Sequence, residues 1–222
     1  QQILDLPGDF RIRISSLEPD GFGKELVDMF THPKLTPHLH LCVQSGSEPI
    51  LLKMRRMYGV DQYLELITAI KKQYSDFNIT TDIIVGFPGE TDEDFQETVD
   101  FLQTLDISYL HVFTYSERAN TTAVKLGDAV PMHIRKERSK QLHLLSDRKK
   151  KQFYHSQLGL QKTVLFEHEE DEGKMYGFTE NYIKVEAPFN ANLVNQLVAV
   201  QIEQLTLDET VKVTIEKTLV NE

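Results

Sequence analysis

Short runs rich in β-branched and other apolar residues alternate with helical patterns over the first two thirds of the chain. Four such runs predict strands, at Phe10–Leu17, His38–Val43, Phe77–Val85 and Ile107–Thr114. Between them, apolar residues at helical spacing predict helices at Lys24–Phe30, Glu48–Met57, Asp61–Tyr74 and Asp92–Leu105. A parallel connection needs a dozen or more residues, so this alternation predicts an α/β fold with parallel strands. Because a closed eight-unit barrel needs about 250 residues, four units predict only part of a barrel.

The pattern changes in the last third of the chain. Pro131 precedes a long amphipathic helix, predicted over His133–Gln157. After Gly159, short β segments follow without helices, at Gln161–Glu167, Asn181–Glu186, Leu197–Gln204 and Val211–Val220. Such a series is typical of a small antiparallel β-barrel. We therefore predict two domains, residues 1–157 and residues 158–222.

Positive charge is concentrated in one segment. The chain of 222 residues has a net charge of -10, yet His133–Ser156 alone carries +6 between regions of -9 and -7. This basic helix is either a phosphate-contacting surface or an ordinary solvated face. No apolar run reaches the roughly 18 residues of a membrane helix, and no signal sequence is apparent, so we expect a cytoplasmic protein without a membrane partner.

The single cysteine, Cys42, excludes an internal disulfide and any Cys-rich metal or iron–sulfur site built from this chain alone. His38, His40 and His111 lie on predicted strands, but not at metal-ligand spacing. We predict that these histidines pack or form hydrogen bonds, that Cys42 is a small buried residue, and that the chain has no metal site.

Polar or glycine-rich residues follow each predicted strand, at the ends where parallel architectures bind ligands. These strand tips are Ser15–Pro19, Gln44–Ser47, Gly86–Glu90 and Tyr115–Arg118. Each tip alone also has a structural explanation, as a tight turn, a helix cap or, for Arg56 on the following helix, a solvated surface residue. Asp82 is harder to explain in this way, because an unpaired carboxylate inside an apolar strand is destabilising.

In order, Arg11–Pro19, His38–Ser47, Thr81–Thr91 and His111–Arg118 resemble the second half of a radical S-adenosylmethionine (SAM) barrel. More narrowly, they resemble the enzymes that add a methylthio group to adenosine in tRNA. The first segment, RIRISSLEP, is most similar to the branch acting on N6-threonylcarbamoyladenosine beside the anticodon. The terminal strands resemble a TRAM domain, the small RNA-binding β-barrel of that family. Two departures are Cys42-Val43, where the family usually has Pro-Leu, and Asn120–Thr122, where it usually has Gly-Thr-Pro.

The resemblance implies a site for SAM. Glu18 would accept hydrogen bonds from the ribose hydroxyls, Gln44 and Ser45 would serve the ribose or the carboxylate, and Arg56 would pair with the methionyl carboxylate. The other implied cofactor-binding residues are Ser15, Asp82, Gly86 and Pro88. The residues expected to contact RNA are Tyr115, Arg118, Lys149, Lys150, Lys151, Lys174, Tyr182 and Lys184.

The implied reaction is radical chemistry carried by cofactors. A reduced 4Fe-4S cluster passes an electron to SAM, and the resulting radical removes hydrogen from the adenine C2, where sulfur then adds. A second SAM supplies the methyl group. The family's cluster-binding cysteines have no counterpart here, so the resemblance implies a C-terminal fragment that is inactive alone and contains no catalytic residue. The implied partners are the tRNA anticodon stem-loop and an electron donor such as flavodoxin, and the expected state is a monomer.

Three alternatives remain open at this point. Two lie in the same enzyme class: a methylthiotransferase for isopentenyladenosine in tRNA, or one for a ribosomal-protein aspartate. The third is a non-enzymatic RNA-binding module whose β/α half no longer binds SAM. The polar strand tips favour an enzyme, since a degenerate half would have little reason to keep Glu18, Gln44, Arg56 and Asp82 together.

Overall fold

The computed structural model describes residues 2–21 and 23–215, and its first sheet has four strands in the order β1-β2-β3-β4. The strands are β1 (Ile12–Leu17), β2 (Leu35–Leu41), β3 (Asn78–Val85) and β4 (Tyr109–Thr114). Each strand pairs in parallel with the next. The prediction of parallel strands joined by helices is therefore confirmed.

Helices join the strands in the predicted order. They are α1 (Lys24–Met29), α2 (Glu48–Lys53), α3 (Val60–Gln73) and α4 (Asp92–Thr104). Thr91 caps α4, because its hydroxyl accepts the Asp94 N–H at 3.1 Å and the Asp94 carboxylate accepts the Thr91 N–H at 2.9 Å. The second helix is shorter than predicted, since Arg55 has a φ of 59°, which a right-handed helix cannot contain.

The parallel sheet has two unlike faces, because successive side chains of a strand point in opposite directions. One face packs against the helices and is fully buried, with Leu39, Leu41, Ile79 and Ile83 at its centre. The other face is polar and lines a cavity, to which His40, Thr80 and Asp82 contribute. Asp82, which interrupts an apolar run in the sequence, therefore lies outside the apolar core.

The long helix α5 (Met132–Ser156) follows β4 and packs against it, one residue away from its predicted position at each end. Leu142 and Leu145 belong to the core of the parallel sheet, whereas Phe153 and Tyr154 belong to the core of the terminal barrel. The helix thus joins two separate hydrophobic cores. Within the described residues, no helix has the length and apolar character that a membrane crossing requires.

Five strands close into the terminal barrel, in the order β5-β6-β7-β9-β8. They are β5 (Gln161–Asp171), β6 (Lys174–Thr179), β7 (Lys184–Pro188), β8 (Leu197–Leu205) and β9 (Val211–Ile215). The barrel was predicted, but β6 was not, and β7 begins at Lys184 rather than at Asn181. The pair β7 and β9 is parallel, so the barrel is antiparallel in its other pairings only. Residues 216–220 of the last predicted strand lie outside the described residues.

The barrel docks against the amino-terminal ends of the parallel strands. Asn78, the first residue of β3, donates from Nδ2 to the Asn181 carbonyl at 2.7 Å. Arg11, just before β1, donates from Nη2 to the Thr163 carbonyl at 2.8 Å. The carboxyl ends of the strands, where the polar tips lie, are consequently at the edge of the sheet farther from the barrel.

Candidate functional site

A cavity of 540 Å³ lies against the polar face of the parallel sheet, and we call it the sheet cavity. All four parallel strands contribute to its wall, and the terminal barrel contributes its floor. Residues lining it include Ser15, His40, Asp82, His111, Phe178 and Tyr182. Its volume is in the range of small-molecule and cofactor sites.

The floor of the sheet cavity is built around Tyr182. Its ring stacks on Phe178 at 4.5 Å between centroids, with an interplanar angle of 13°, and the Arg13 guanidinium lies 4.4 Å from the same ring. The His38 ring is 4.7 Å away, and burial together with Arg13 lowers the pKa of His38 to about 3, so this imidazole is neutral. These contacts hold Tyr182 at a φ of 66°. Tyr182, which the sequence predicted to contact RNA, thus lines the cavity.

Four side chains on β2, β3 and the residues just after β2 form what we call the polar cluster: His40, Cys42, Thr80 and Asp82. His40 Nε2 lies 2.9 Å from Asp82 Oδ1, and His40 Nδ1 lies 2.9 Å from the Thr80 hydroxyl. The Cys42 thiol donates to Asp82 Oδ2 at 3.4 Å. Burial, and then the neighbouring Asp82, raise the pKa of Cys42 to about 12, so the thiol keeps its proton. Asp82 thus has two partners.

A second group of polar side chains lies at the carboxyl ends of the same strands. Glu18 and Arg56 form an ion pair, in which Arg56 uses Nη1. The Arg56 Nε is buried without a hydrogen-bond partner among the described residues. The Cys42 N–H donates to the Leu17 carbonyl at 2.9 Å, so Glu18 directly follows a residue that is bonded to the polar cluster. Gln44 is fixed between these groups, since its N–H donates to the Asp82 carbonyl at 2.9 Å and its carbonyl accepts the Ile84 N–H at 3.0 Å.

Ser45 does not join this group. Its hydroxyl lies 3.3 Å from the Thr98 hydroxyl on α4 and accepts the Ser47 N–H at 3.2 Å, and only 1% of the residue is exposed. A Cβ on Gly46 would lie 2.7 Å from the Thr98 Cα, so the loop lies flat against α4. The structure therefore gives Ser45 a positioning contact with α4 rather than one with the cavity.

The loop that begins at Gly86 is held by two arginines of α5. Glu90 Oε2 accepts the Gly86 N–H at 2.8 Å and also pairs with Arg138. Arg135 donates to the Tyr115 carbonyl at 2.9 Å, and a Cβ on Gly86 would lie 2.4 Å from the Arg135 Cγ. Burial raises the pKa of Glu90, against the opposing effects of Gly86 and Arg138. Sequence reasoning missed these residues; the three-residue spacing of Arg135 and Arg138, on one side of the helix, was the available signal.

Pro88 is buried within the same loop, and Ser15 lines the sheet cavity. Tyr115 packs against Phe87 at 5.4 Å between centroids, and its buried hydroxyl has no partner among the described residues. Arg118, after the fourth strand, is exposed. Of the cofactor-binding residues predicted from the sequence, the structure thus pairs Glu18 with Arg56 and Gln44 with Asp82.

Most of the lysines predicted to contact RNA are buried or paired with a carboxylate. Lys149 is 9% exposed and donates to the Leu105 carbonyl at 2.7 Å, and burial lowers its pKa. Lys150 and Lys151 lie 2.7 and 3.9 Å from the Glu209 carboxylate. In the barrel, Lys174 pairs with Glu186, whereas Lys184 is exposed beside Tyr176. The face of α5 that remains exposed carries Lys136, Lys140, Arg148 and Lys151.

Comparison with known proteins gives a consistent result. The model of the radical SAM superfamily matches residues 2–102. The threonylcarbamoyladenosine tRNA methylthiotransferase MtaB of Thermotoga maritima is 37% identical over 205 residues, covering 90% of this chain and 46% of that protein. The tRNA-2-methylthio-N(6)-dimethylallyladenosine synthase of Acinetobacter baumannii is 33% identical over 206 residues, covering 91% and 43% respectively. The chain thus spans a little under half the length of these curated relatives.

A solved structure supports the fold. Coproporphyrinogen III oxidase of Escherichia coli, a radical SAM enzyme, is similar with a TM-score of 0.53 at 17% sequence identity, covering 63% of this chain and 32% of that chain. At this identity the likeness concerns the fold alone. By sequence, the chain is similar to the radical SAM superfamily over residues 2–102, and 90–91% of it is similar to curated tRNA methylthiotransferases.

Proposed function

We propose that this chain is the SAM-binding and substrate-binding second half of an enzyme that adds a methylthio group to C2 of N6-threonylcarbamoyladenosine beside the tRNA anticodon. The observation that carries the proposal is the Glu18–Arg56 ion pair, with its unpartnered Arg56 Nε, at the carboxyl edge of the parallel sheet. The curated relatives named for threonylcarbamoyladenosine support the choice of nucleoside.

The side chains at this edge match the polar groups of SAM. The Glu18 carboxylate, of which 45% is exposed, has acceptor capacity for the ribose hydroxyls beyond its pairing with Arg56. Arg56 retains donors for the methionyl carboxylate, to which a guanidinium binds in a two-bond geometry. The Gly86 loop, held by Glu90 and Arg138, provides backbone near the strand tip without side-chain bulk for the adenine.

SAM fits these residues, but an iron–sulfur cluster does not. One cysteine cannot supply the thiolates that a 4Fe-4S cluster needs. When bound at a reduced cluster, SAM supplies the radical that removes hydrogen from the adenine. We therefore assign the clusters, and the contact with an electron donor such as flavodoxin, to another part of a longer enzyme. This chain alone is expected to be inactive, and to be monomeric.

For tRNA we propose a contact surface different from the one that charge alone predicted. The helix α5 begins beside Tyr115 and ends at the barrel, so Lys136 and Lys140 lie nearer the carboxyl edge of the sheet than Lys149 does. Both are exposed, whereas Lys149 is buried. Arg118 and Tyr115 follow β4 at the same edge. This surface lies where a nucleoside bound at the strand tips would enter.

The SAM site is tested in the enzyme that carries its cluster-binding region. Glu18→Gln and Arg56→Gln each remove a charged hydrogen-bonding group, which contributes about 1.5–3 kcal/mol, so the Kd for SAM should rise about 10- to 150-fold. Cluster content, measured by iron and sulfide analysis, should not change. Glu203→Gln, on an exposed position of β8, is the matched control. Unchanged SAM affinity in both site variants would contradict the assigned roles.

The substrate is tested by mass spectrometry of tRNA nucleosides from a strain lacking the gene. We expect loss of the methylthio group from threonylcarbamoyladenosine and its return when the gene is restored. Loss from isopentenyladenosine instead would select the second branch, whose relatives are 32–38% identical to this chain. If both nucleosides keep their methylthio group while a ribosomal protein loses it, the substrate is a protein aspartate. No change in any of them would favour a non-enzymatic RNA-binding module.

A further inference from the structure

Three side chains of the polar cluster have the donor atoms of a transition-metal site. They are His40, Cys42 and Asp82, and one imidazole nitrogen, one sulfur and one carboxylate oxygen lie within 4.8 Å of one another. His40 and Cys42 are two residues apart and point to the same side of the sheet. Asp82 comes from the neighbouring strand, where Thr80 is the direct partner of His40. Because the ligands come from two different strands, the spacing of the histidines along the sequence does not indicate this site, and no metal site was predicted.

The distances between the donors suit a metal with short bonds. His40 Nε2 and Asp82 Oδ1 are 2.9 Å apart, and Cys42 Sγ and Asp82 Oδ2 are 3.4 Å apart. Two ligands bonded to tetrahedral zinc at about 2.0 Å lie about 3.3 Å from each other, and a sulfur ligand lies slightly farther. The third pair, His40 and Cys42, lies within 4.8 Å, so a metal between the three donors would replace their present hydrogen bonds once these side chains close around it.

Thr80 fixes the orientation of the histidine. The Thr80 hydroxyl lies 2.9 Å from His40 Nδ1, which leaves Nε2 directed at Asp82. A metal-binding histidine characteristically has such a hydrogen bond on its second nitrogen, because that bond fixes the ring and its tautomer. Among the described residues, the cluster therefore contains three candidate ligands and also the hydrogen bond that orients one of them.

The cluster also has an approach for the ion. His40 and Asp82 line the sheet cavity, and 12% and 23% of their side chains are exposed. The His111 ring lies across from His40, at 4.9 Å between centroids. Two of the three ligands face the cavity, whereas Cys42 is buried behind them, and this leaves a fourth position open to water or another small ligand on the cavity side.

We propose that His40, Cys42 and Asp82 bind a divalent transition-metal ion, with zinc as the best match to one nitrogen, one sulfur and one oxygen ligand. The thiol proton leaves to solvent when the Cys42 sulfur binds the ion. The proposal does not rest on the proposed function, because Glu18 and Arg56 take no part in it.

The test is a titration of the full metal-free chain with Co²⁺, followed by competition with Zn²⁺. A thiolate bound to Co²⁺ gives a near-ultraviolet charge-transfer band, and Cys42 is the only cysteine of the 222 residues, so the band reports this side chain alone. We expect one equivalent of Co²⁺ to produce the band and Zn²⁺ to remove it. The absence of the band at saturating Co²⁺ in the unaltered chain would overturn the proposal.

Variants test the other ligands. His40→Gln and Asp82→Asn should each weaken Co²⁺ binding at least about tenfold, and Thr80→Val should weaken it about 10- to 100-fold through the lost orientation. His143→Gln, on the exposed side of α5, is the matched control and should bind as the unaltered chain does. Circular dichroism identifies variants that fail to fold. Folded His40→Gln and Asp82→Asn variants with unchanged affinity would also overturn the proposal.

Discussion

Asn181 connects the terminal barrel, α5 and the parallel sheet, so its replacement by alanine should destabilise the whole chain. The residue is fully buried, and Nδ2 donates to the Gln157 side chain at 2.9 Å and to the Asp76 carbonyl at 3.2 Å. Its Oδ1 accepts the Thr179 hydroxyl at 2.7 Å. Three net hydrogen bonds at about 1 kcal/mol each predict a loss of about 3 kcal/mol. Gln157 and Thr179 would remain buried without this partner.

The loss is measured by thermal unfolding followed by circular dichroism. For a chain of this size, 1 kcal/mol shifts the Tm by about 2–4 °C, so Asn181→Ala should lower it by about 6–12 °C. Asn192→Ala, on an exposed residue of the same barrel, is the matched control and should change stability by less than about 0.5 kcal/mol. A loss for Asn181→Ala no greater than that of the control would refute the view that these bonds join the two cores.

Three further outcomes follow from particular contacts. Gly177→Ala should cost about 1–3 kcal/mol in urea unfolding, because a Cβ there would lie 2.5 Å from the Leu165 carbonyl; wild-type stability would contradict the close approach. The hydrogen bond from Lys150 lowers the pKa of Glu209 in the folded state. The ionised carboxylate therefore stabilises the fold above its unfolded pKa of about 4.5, and this stabilisation is lost as the pH falls through the folded-state pKa. The unfolding midpoint of Glu209→Gln should then fall less than that of the unaltered chain between about pH 5 and 3, and equal slopes would count against the pair. Replacing Lys136 and Lys140 by Glu should weaken tRNA binding by the enzyme and reduce the slope of log K against log salt by about 1.4–1.8. Lys72→Glu is the control, and an unchanged slope would show that this part of α5 does not contact RNA.

The alternation of strands and helices was predictable because each element carries its own local pattern. Leu39 and Leu41 alternate with His38 and His40, and this period of two is the signature of a strand with one apolar face. The missed strand β6 lacks such a signature, since Gly177 occupies one of its inward positions. Glycine is required there by the Leu165 backbone, a contact between residues 12 positions apart that no local pattern records.

The contacts among the candidate site residues were predictable only in part. The sequence indicated Glu18 and Gln44 at strand tips, Asp82 within a strand and Arg56 on the following helix, because parallel strands end at one edge whatever their separation in sequence. Whether a side chain faces the cavity depends on the turn that carries it. Ser45 bonds to Thr98 on α4, while Gln44 beside it bonds through its backbone to Asp82. Sequence spacing does not distinguish these two outcomes.

The basic helix shows most clearly why net charge is a poor guide to binding. The face of α5 that packs on the sheet holds Arg135 and Arg138, whose bonds to Tyr115 and Glu90 support the loop at the strand tips. Its solvent face holds Lys136 and Lys140, and both side chains are exposed. The first half of this helix, whose net charge is +6, thus divides into buried arginines that support the loop at the strand tips and exposed lysines that remain for a polyanion. Because guanidinium groups form several directed bonds, arginine suits the first task and lysine suffices for the second.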